Sequence, residues 1–279
     1  MVRIIPRLDI KGPNLVKGIH LEGLRALGLP SDFAKFYYEQ GADEIFFMDV
    51  VASLYERNSL HNIISETAKS IFIPITVGGG IRTLDDIKQI LRCGADKVSI
   101  NTAAIKNPQF IYEASREFGS STIVVAIEAI KTSGGEYQAF IDNGREHTGI
   151  EVTKWAKKIE ELGCGEIVIT SVDREGTGKG FDQELCKLIM NSVSIPVIAH
   201  GGAGNKDDVI EILENKVVNS VSIASIFHYE TVKYLNNKNS HASEGNFDFI
   251  NSGRKINNLE PILLSELKQC LKQKLINCR

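Results

Sequence analysis

Two acidic residues each lie at the end of a short apolar run, Asp9 in Arg7-Leu8-Asp9-Ile10 and Glu128 in Ala126-Ile127-Glu128-Ala129. Two glycine-rich sequences end similar runs, Val77-Gly78-Gly79-Gly80 and His200-Gly201-Gly202. A carboxyl group held against a bound ligand can act as general acid or base. Gly-rich turns leading into helices present free backbone N–H groups to phosphate. The four sequences together suggest proton-transfer chemistry on a phosphorylated ligand, provided the fold gathers them at one place.

The organisation along the chain supplies that place. Short β-rich runs alternate with helix-like segments, the pattern of parallel βαβ units. Eight strands are expected, at 3–9, 44–50, 75–79, 97–101, 122–128, 166–172, 196–200 and 220–224. Helices are expected at 32–40, 84–93, 109–118, 152–162, 183–191 and 206–214, with a last one at 263–275. The predicted fold class is α/β, a (βα)8 TIM barrel, which a chain of 279 residues accommodates as one domain. Residues 1–232 with 259–279 form that barrel in this reading. Residues 233–258, rich in Asn, Ser, Gly and Lys, read as a polar surface insert or a disordered excursion.

An internal repeat supports the count. Ile73-Pro74-Ile75-Thr76-Val77-Gly78-Gly79-Gly80 returns as Ile195-Pro196-Val197-Ile198-Ala199-His200-Gly201-Gly202, and Asp85-Asp86 as Asp207-Asp208. Glu44-Ile45 and Glu166-Ile167 stand at the same offset, so the barrel reads as two half-barrels. Ligands in such barrels sit at the C-terminal ends of the strands. Gly79, Gly80 and Thr102 then form one phosphate cradle at strands 3 and 4. Gly201, Gly202, Ala224 and Ser225 form a second at strands 7 and 8, and the loop 173–180, with Gly176, lies beside it. Strands 1 and 5 face each other, so a ligand pinned at both cradles passes between Asp9 and Glu128. No GxxxxGK[ST] sequence is present, so nucleoside triphosphate hydrolysis is not implied.

Bulk composition narrows the partners. The net charge of −3 provides no basic field for nucleic acid or an anionic membrane, and 43% hydrophobic with 24% charged residues is ordinary for a globular protein. Five cysteines without a CxxC pair, and no apolar span or signal peptide, point to a reduced, cytoplasmic protein. Neither a metal nor a cofactor is called for.

Over residues 2–229 the sequence closely resembles the cyclase subunit of imidazole glycerol phosphate synthase, of histidine biosynthesis. The resemblance is carried by Leu8-Asp9-Ile10-Lys11, Val16-Lys17-Gly18, Met48-Asp49-Val50-Val51-Ala52-Ser53, Thr76-Val77-Gly78-Gly79-Gly80-Ile81, the run from Gly94 to Ala104, Thr170-Ser171-Val172-Asp173-Arg174 and Gly201-Gly202-Ala203-Gly204. It implies a lyase that uses ammonia from a separate glutaminase subunit to split and cyclise a bis-phosphorylated formimino aminoimidazole carboxamide ribonucleotide. It implies that Asp9 and Glu128 are the acid and base, and that Lys17, Asp49, Asn101 and Thr170 bind or orient substrate. It also implies that the glutaminase docks at the N-terminal face, where Arg3, Glu44, Lys97 and Glu166 gate ammonia. Those four charges begin strands 1, 2, 4 and 6 and alternate in sign, which also suits a purely stabilising salt-bridge ring.

The pattern departs from the family near the chemistry. Glu128 stands where the family has Asp, Arg7 where it usually has a small residue, and Glu175 and His200 where it has Asp and a small hydroxyl residue. Strand alternation turns Arg7 inward with Arg3, Ile5 and Asp9. A buried Arg needs a partner, and Asp9 or Glu128 is the expected one. His200 is expected to donate to phosphate when protonated, with Glu175 near the same phosphate. These changes also suit two other functions: a paralogue passing glutamine-derived ammonia to amidination of a surface sugar, and a non-catalytic scaffold that activates the glutaminase.

Overall fold

The computed structural model describes residues 1–52, 60–235 and 258–279. The barrel strands are β1 (Arg3–Lys11), β4 (Ile45–Asp49), β5 (Ile75–Gly78), β6 (Lys97–Ile100), β7 (Ile123–Lys131), β10 (Glu166–Ser171), β11 (Val197–His200) and β12 (Ser220–Ile223). They pair in parallel in that order, and the ring closes where Arg3 meets Ser220 across β1 and β12. The fold is the expected (βα)8 barrel. Around it pack α1 (Pro30–Glu39), α2 (His61–Ala68), α3 (Leu84–Arg92), α4 (Thr102–Lys106), α5 (Gln109–Phe118), α6 (Val152–Glu161), α7 (Gln183–Met190), α8 (Lys206–Glu214), α9 (Ser225–Leu235) and α10 (Leu264–Gln273).

Period-two alternation along each strand divides the core. Ile4, Leu8 and Ile10 of β1 face outward and join the layer between sheet and helices. Ile5 faces inward with Phe46, Met48, Val124, Val168 and Ile198, which fill the barrel interior. The half-barrel repeat extends to helix starts: α3 opens on a Thr83–Asp86 capping box and α8 on an Asn205–Asp208 one.

Two antiparallel hairpins were not expected. β2 (Asn14–Ile19) and β3 (Glu22–Gly28) follow β1, and β8 (Tyr137–Ile141) and β9 (Glu146–Glu151) follow β7. Their outer strands, EGLRALG and EHTGIE, are largely solvated and lack the apolar alternation that marks a strand. They stand at equivalent places in the two halves, directly beyond Asp9 and Glu128. Of the expected polar insert, 233–235 continue α9 and 258 lies in a turn, while 236–257 lie outside the described residues. Among the described residues no helix is long and apolar enough to cross a membrane.

Candidate active site

At the N-terminal end of the barrel the four expected charges form a closed ring. Arg3 Nη1 lies 3.1 Å from Glu44 Oε2, and Arg3 Nη2 also pairs with Glu166. Lys97 Nζ lies 3.0 Å from both Glu44 Oε2 and Glu166 Oε2. The Thr76 hydroxyl donates to Glu44 at 2.6 Å and Arg3 Nε donates to the Ser220 hydroxyl at 2.9 Å, tying the ring to two further strands. Above it lies the apolar layer of Ile5, Phe46, Val124, Val168 and Ile198.

At the opposite end, one cavity of about 180 Å³ joins the first cradle to a carboxylate: Gly79, Gly80, Asn101 and Thr102 line it together with Asp49 and Glu128. Gly79 and Gly80 have φ of 98° and 71°, a left-handed pair that glycine adopts without a Cβ penalty. Asp49 Oδ1 accepts from the Val51 N–H at 3.0 Å, which fixes the turn beyond β4. Asn101 Nδ2 is 3.4 Å from the Phe140 carbonyl, and its buried Oδ1 has no hydrogen-bond partner among the described residues. The Thr102 hydroxyl reaches Asp142 Oδ1 at 3.3 Å. Glu128 is buried, and burial pushes its carboxyl up to about 7, against the lowering effects of the Gly144 N–H, Arg7 and Asn101, with Asp142 adding to the rise. The Gly144 N–H donates to Glu128 Oε2 at 2.8 Å. A carboxyl that exchanges its proton near neutrality and faces a cavity is suited to general acid–base work.

The other half of the mouth is closed by a buried polar network. Arg7 Nε donates to Asp9 Oδ1 at 2.8 Å, so the expected inward Arg7 pairs with Asp9. Its guanidinium lies over the Phe46 ring, 5.7 Å from the centroid. Arg7 Nη1 is 3.3 Å from His200 Nδ1, and because a guanidinium only donates, that nitrogen is the acceptor. Thr170 Oγ1 is 3.2 Å from the same nitrogen. Burial, then the charges of Arg7 and Lys17, hold the His200 pKa well below its ordinary value, so the ring is neutral. His200 therefore does not become the protonated phosphate donor that its position beside Gly201 suggested. Glu175 departs from expectation as well: its carboxylate pairs with Lys17 and accepts from the Leu21 N–H at 2.9 Å, clasping the β2–β3 hairpin. Lys17 Nζ stands 4.0 Å from Asp9 Oδ2. Burial works against the Lys17 ammonium, but Glu175 and Asp9 outweigh it and its pKa is raised.

The second cradle is divided. Gly176 and Ser225 line a cavity of about 340 Å³ with Lys17, Arg25 and Tyr229. Gly201 and Gly202 repeat the left-handed backbone of the first cradle, with φ of 93° and 109°, but like Ala224 they line neither cavity. The Gly202 carbonyl instead accepts from the Gly180 N–H at 2.8 Å. Sequence reasoning missed Asp142 and Asn143, which line the first cavity from the turn between β8 and β9. The turn signal Asp142-Asn143-Gly144 marks a hairpin in its own right. Arg82 and Lys106, which supply positive charge to the same cavity, carried no signal that set them apart from other surface cations.

Fold and site together define an α/β barrel of duplicated halves whose glycine-rich turns and carboxylates converge on the C-terminal mouth. The pattern of the family described as histidine biosynthesis protein matches residues 3–233. The chain is 59% identical over 207 residues to imidazole glycerol phosphate synthase subunit HisF of Legionella pneumophila, covering 74% of this chain and 98% of that protein. It is 47% identical over 245 residues to the subunit of the same name from Hydrogenobaculum sp. (86% of this chain, 97% of that protein), and 48% identical over 228 residues to that of Lactococcus lactis subsp. cremoris strain MG1363 (81% and 88%). The chain belongs to this histidine biosynthesis family.

Proposed function

We propose that the protein is the cyclase subunit of imidazole glycerol phosphate synthase. In this role it is a lyase that uses ammonia to convert a bis-phosphorylated phosphoribulosyl formimino aminoimidazole carboxamide ribonucleotide into imidazole glycerol phosphate and aminoimidazole carboxamide ribonucleotide. The observation that carries the reading is the cavity in which Gly79, Gly80 and Thr102 meet Glu128. A phosphate held on those N–H groups brings the attached ligand alongside a carboxyl that gains and loses a proton near pH 7. The second phosphate binds across the mouth at Gly176, Gly201, Gly202, Ala224 and Ser225. Asp49, Asn101, Lys17 and Thr170 orient the ligand between the two, and Asp9 flanks it opposite Glu128.

Ammonia comes from a glutaminase subunit seated on the N-terminal face. Exposed Met1, Phe72 and Leu275 offer that partner apolar contact near the strand starts. The ring of Arg3, Glu44, Lys97 and Glu166 is the gate, and the apolar layer above it admits neutral ammonia while resisting ammonium, whose charge is costly to strip of water. The test is to supply ammonium salt with the bis-phosphorylated ribonucleotide and follow its disappearance. Turnover is expected, with a loss of about 100-fold or more in Glu128→Gln. Tight binding of the ribonucleotide without turnover would sink the reading and leave the sugar-amidinating or scaffold alternatives.

A further inference from the structure

We infer that Arg7 is a positioning residue that withdraws Asp9 from proton transfer by holding it in an ion pair, so that Glu128 alone moves protons in the reaction. The inference rests on the function proposed above and divides its chemistry unequally between the two carboxylates.

Both oxygens of Asp9 face cations: Oδ1 accepts from Arg7 Nε at 2.8 Å, and Oδ2 lies 4.0 Å from Lys17 Nζ. Asp9 and Arg7 are each 2% exposed, and Asp9 lines neither mouth cavity. Arg7 is itself held, by His200 on β11 and by the face of Phe46 on β4, so it has no slack with which to release its partner. The charged groups facing Asp9 are thus Arg7 on its own strand and Lys17 on β2, with Glu175 behind it. Glu128 differs in each respect. It borders the cavity, it is held by a backbone N–H from Gly144, and its charged surroundings are Arg7 across the lumen and Asp142 on the hairpin. Arg82 and Lys106 lie elsewhere on the cavity lining.

Chain position explains the asymmetry. Two residues before Asp9 on the inward ladder stands Arg7, while two before Glu128 stands Ala126. A guanidinium occupies one half of the lumen where a methyl group occupies the other. In the proposed step the ammonia nitrogen bonds to the ketone carbon of the ribulosyl group as the C=O π pair moves to oxygen, and Glu128, as carboxylate, takes a proton from that nitrogen and delivers it to that oxygen. A second transfer by the same route, from nitrogen to the same oxygen, breaks the C–O bond, so that water leaves as the C=N bond forms and Glu128 ends ionised as it began. Asp9 stays bound to Arg7 throughout and takes no part in the transfer.

The experiment measures kcat/KM against pH at fixed free ammonia, with the bis-phosphorylated ribonucleotide as substrate. It compares the wild type, Glu128→Gln, Arg7→Lys and the double variant Arg7→Met with Asp9→Asn, which leaves no unpaired guanidinium in the lumen. The wild type is expected to show one acid limb near pH 7. Glu128→Gln loses that limb and about 100-fold or more in rate. The double variant loses about tenfold, well short of a missing general acid or base, and keeps a single limb. That limb moves to higher pH, because the charge of Arg7 favours the Glu128 carboxylate. Arg7→Lys, which keeps the charge, holds the limb near its wild-type position. A double variant as impaired as Glu128→Gln, or a second limb in the wild type that the double variant abolishes, would show that Asp9 carries protons. An unmoved limb in the double variant would reduce Arg7 to a structural filler. Absence of turnover in every protein, wild type included, would remove the proposed function and this inference with it.

Discussion

The two halves of the barrel share a framework and treat their carboxylates in opposite ways. In the first half β1 carries Arg7 and Asp9, and the hairpin beyond it sends Lys17 inward to meet Glu175. In the second half β7 carries Ala126 and Glu128, and the equivalent hairpin contributes a backbone N–H from Gly144 and the carboxylate of Asp142. One carboxylate is fully paired and sealed. The other is desolvated, incompletely compensated and next to a cavity. Two inward positions, one Arg and one Ala, turn a structural symmetry into a chemical difference.

The difference has a thermodynamic signature of opposite sign in the two halves. Asp9→Ala leaves the buried Arg7 guanidinium without its carboxylate and is expected to cost about 3–5 kcal/mol, read as a lowered urea midpoint at neutral pH. Glu128→Gln should do the reverse. Because the folded-state pKa of Glu128 lies above its ordinary value, the native protein holds that proton more tightly than the unfolded chain. The associated stability is complete at pH below the ordinary value and is lost as pH rises to about 7. A Gln at this position does not ionise, so Glu128→Gln is expected to be more stable than the wild type by about 3 kcal/mol at pH 8. The advantage should shrink steadily as pH falls towards the ordinary carboxyl range. Equal losses from both substitutions would break the comparison.

Much of this was legible in the sequence because it rests on strand periodicity. The eight barrel strands, the charge ring at their starts and the inward turn of Arg7 all follow from period-two alternation applied to short apolar runs. Which partner Arg7 takes does not follow from it, since Asp9 and Glu128 were both within reach of an inward guanidinium. The fates of His200 and Glu175 were misread for a related reason. Adjacency to Gly201 and Gly176 suggested phosphate, but the side chain of His200 points into the lumen towards Arg7, and that of Glu175 reaches the β2–β3 hairpin. That hairpin was itself invisible because its strands are short and half solvated. Asp142 and Asn143 entered the cavity unseen through the other hairpin for the same reason.

The glycine pairs carry the smallest expected effects and the most specific contrast. An added Cβ at Gly79 would lie 2.3 Å from the Asp49 carbonyl oxygen, and one at Gly202 would lie 2.0 Å from that of Gly180. With positive φ at both sites, Gly79→Ala and Gly202→Ala should each lose about 1–3 kcal/mol in thermal unfolding. Their effects on ligand binding should part. Gly79 borders the open cavity beside Glu128, so Gly79→Ala is expected to weaken inorganic phosphate binding about tenfold in calorimetric titration, equivalent to about 1.4 kcal/mol. Gly202 is packed against the Gly180 turn through its own carbonyl, so Gly202→Ala should loosen the 173–180 loop, seen as faster amide exchange there, with a smaller change in phosphate affinity. If the two variants lose phosphate equally, the halves bind alike, and the asymmetry is confined to the carboxylates and does not extend to the cradles.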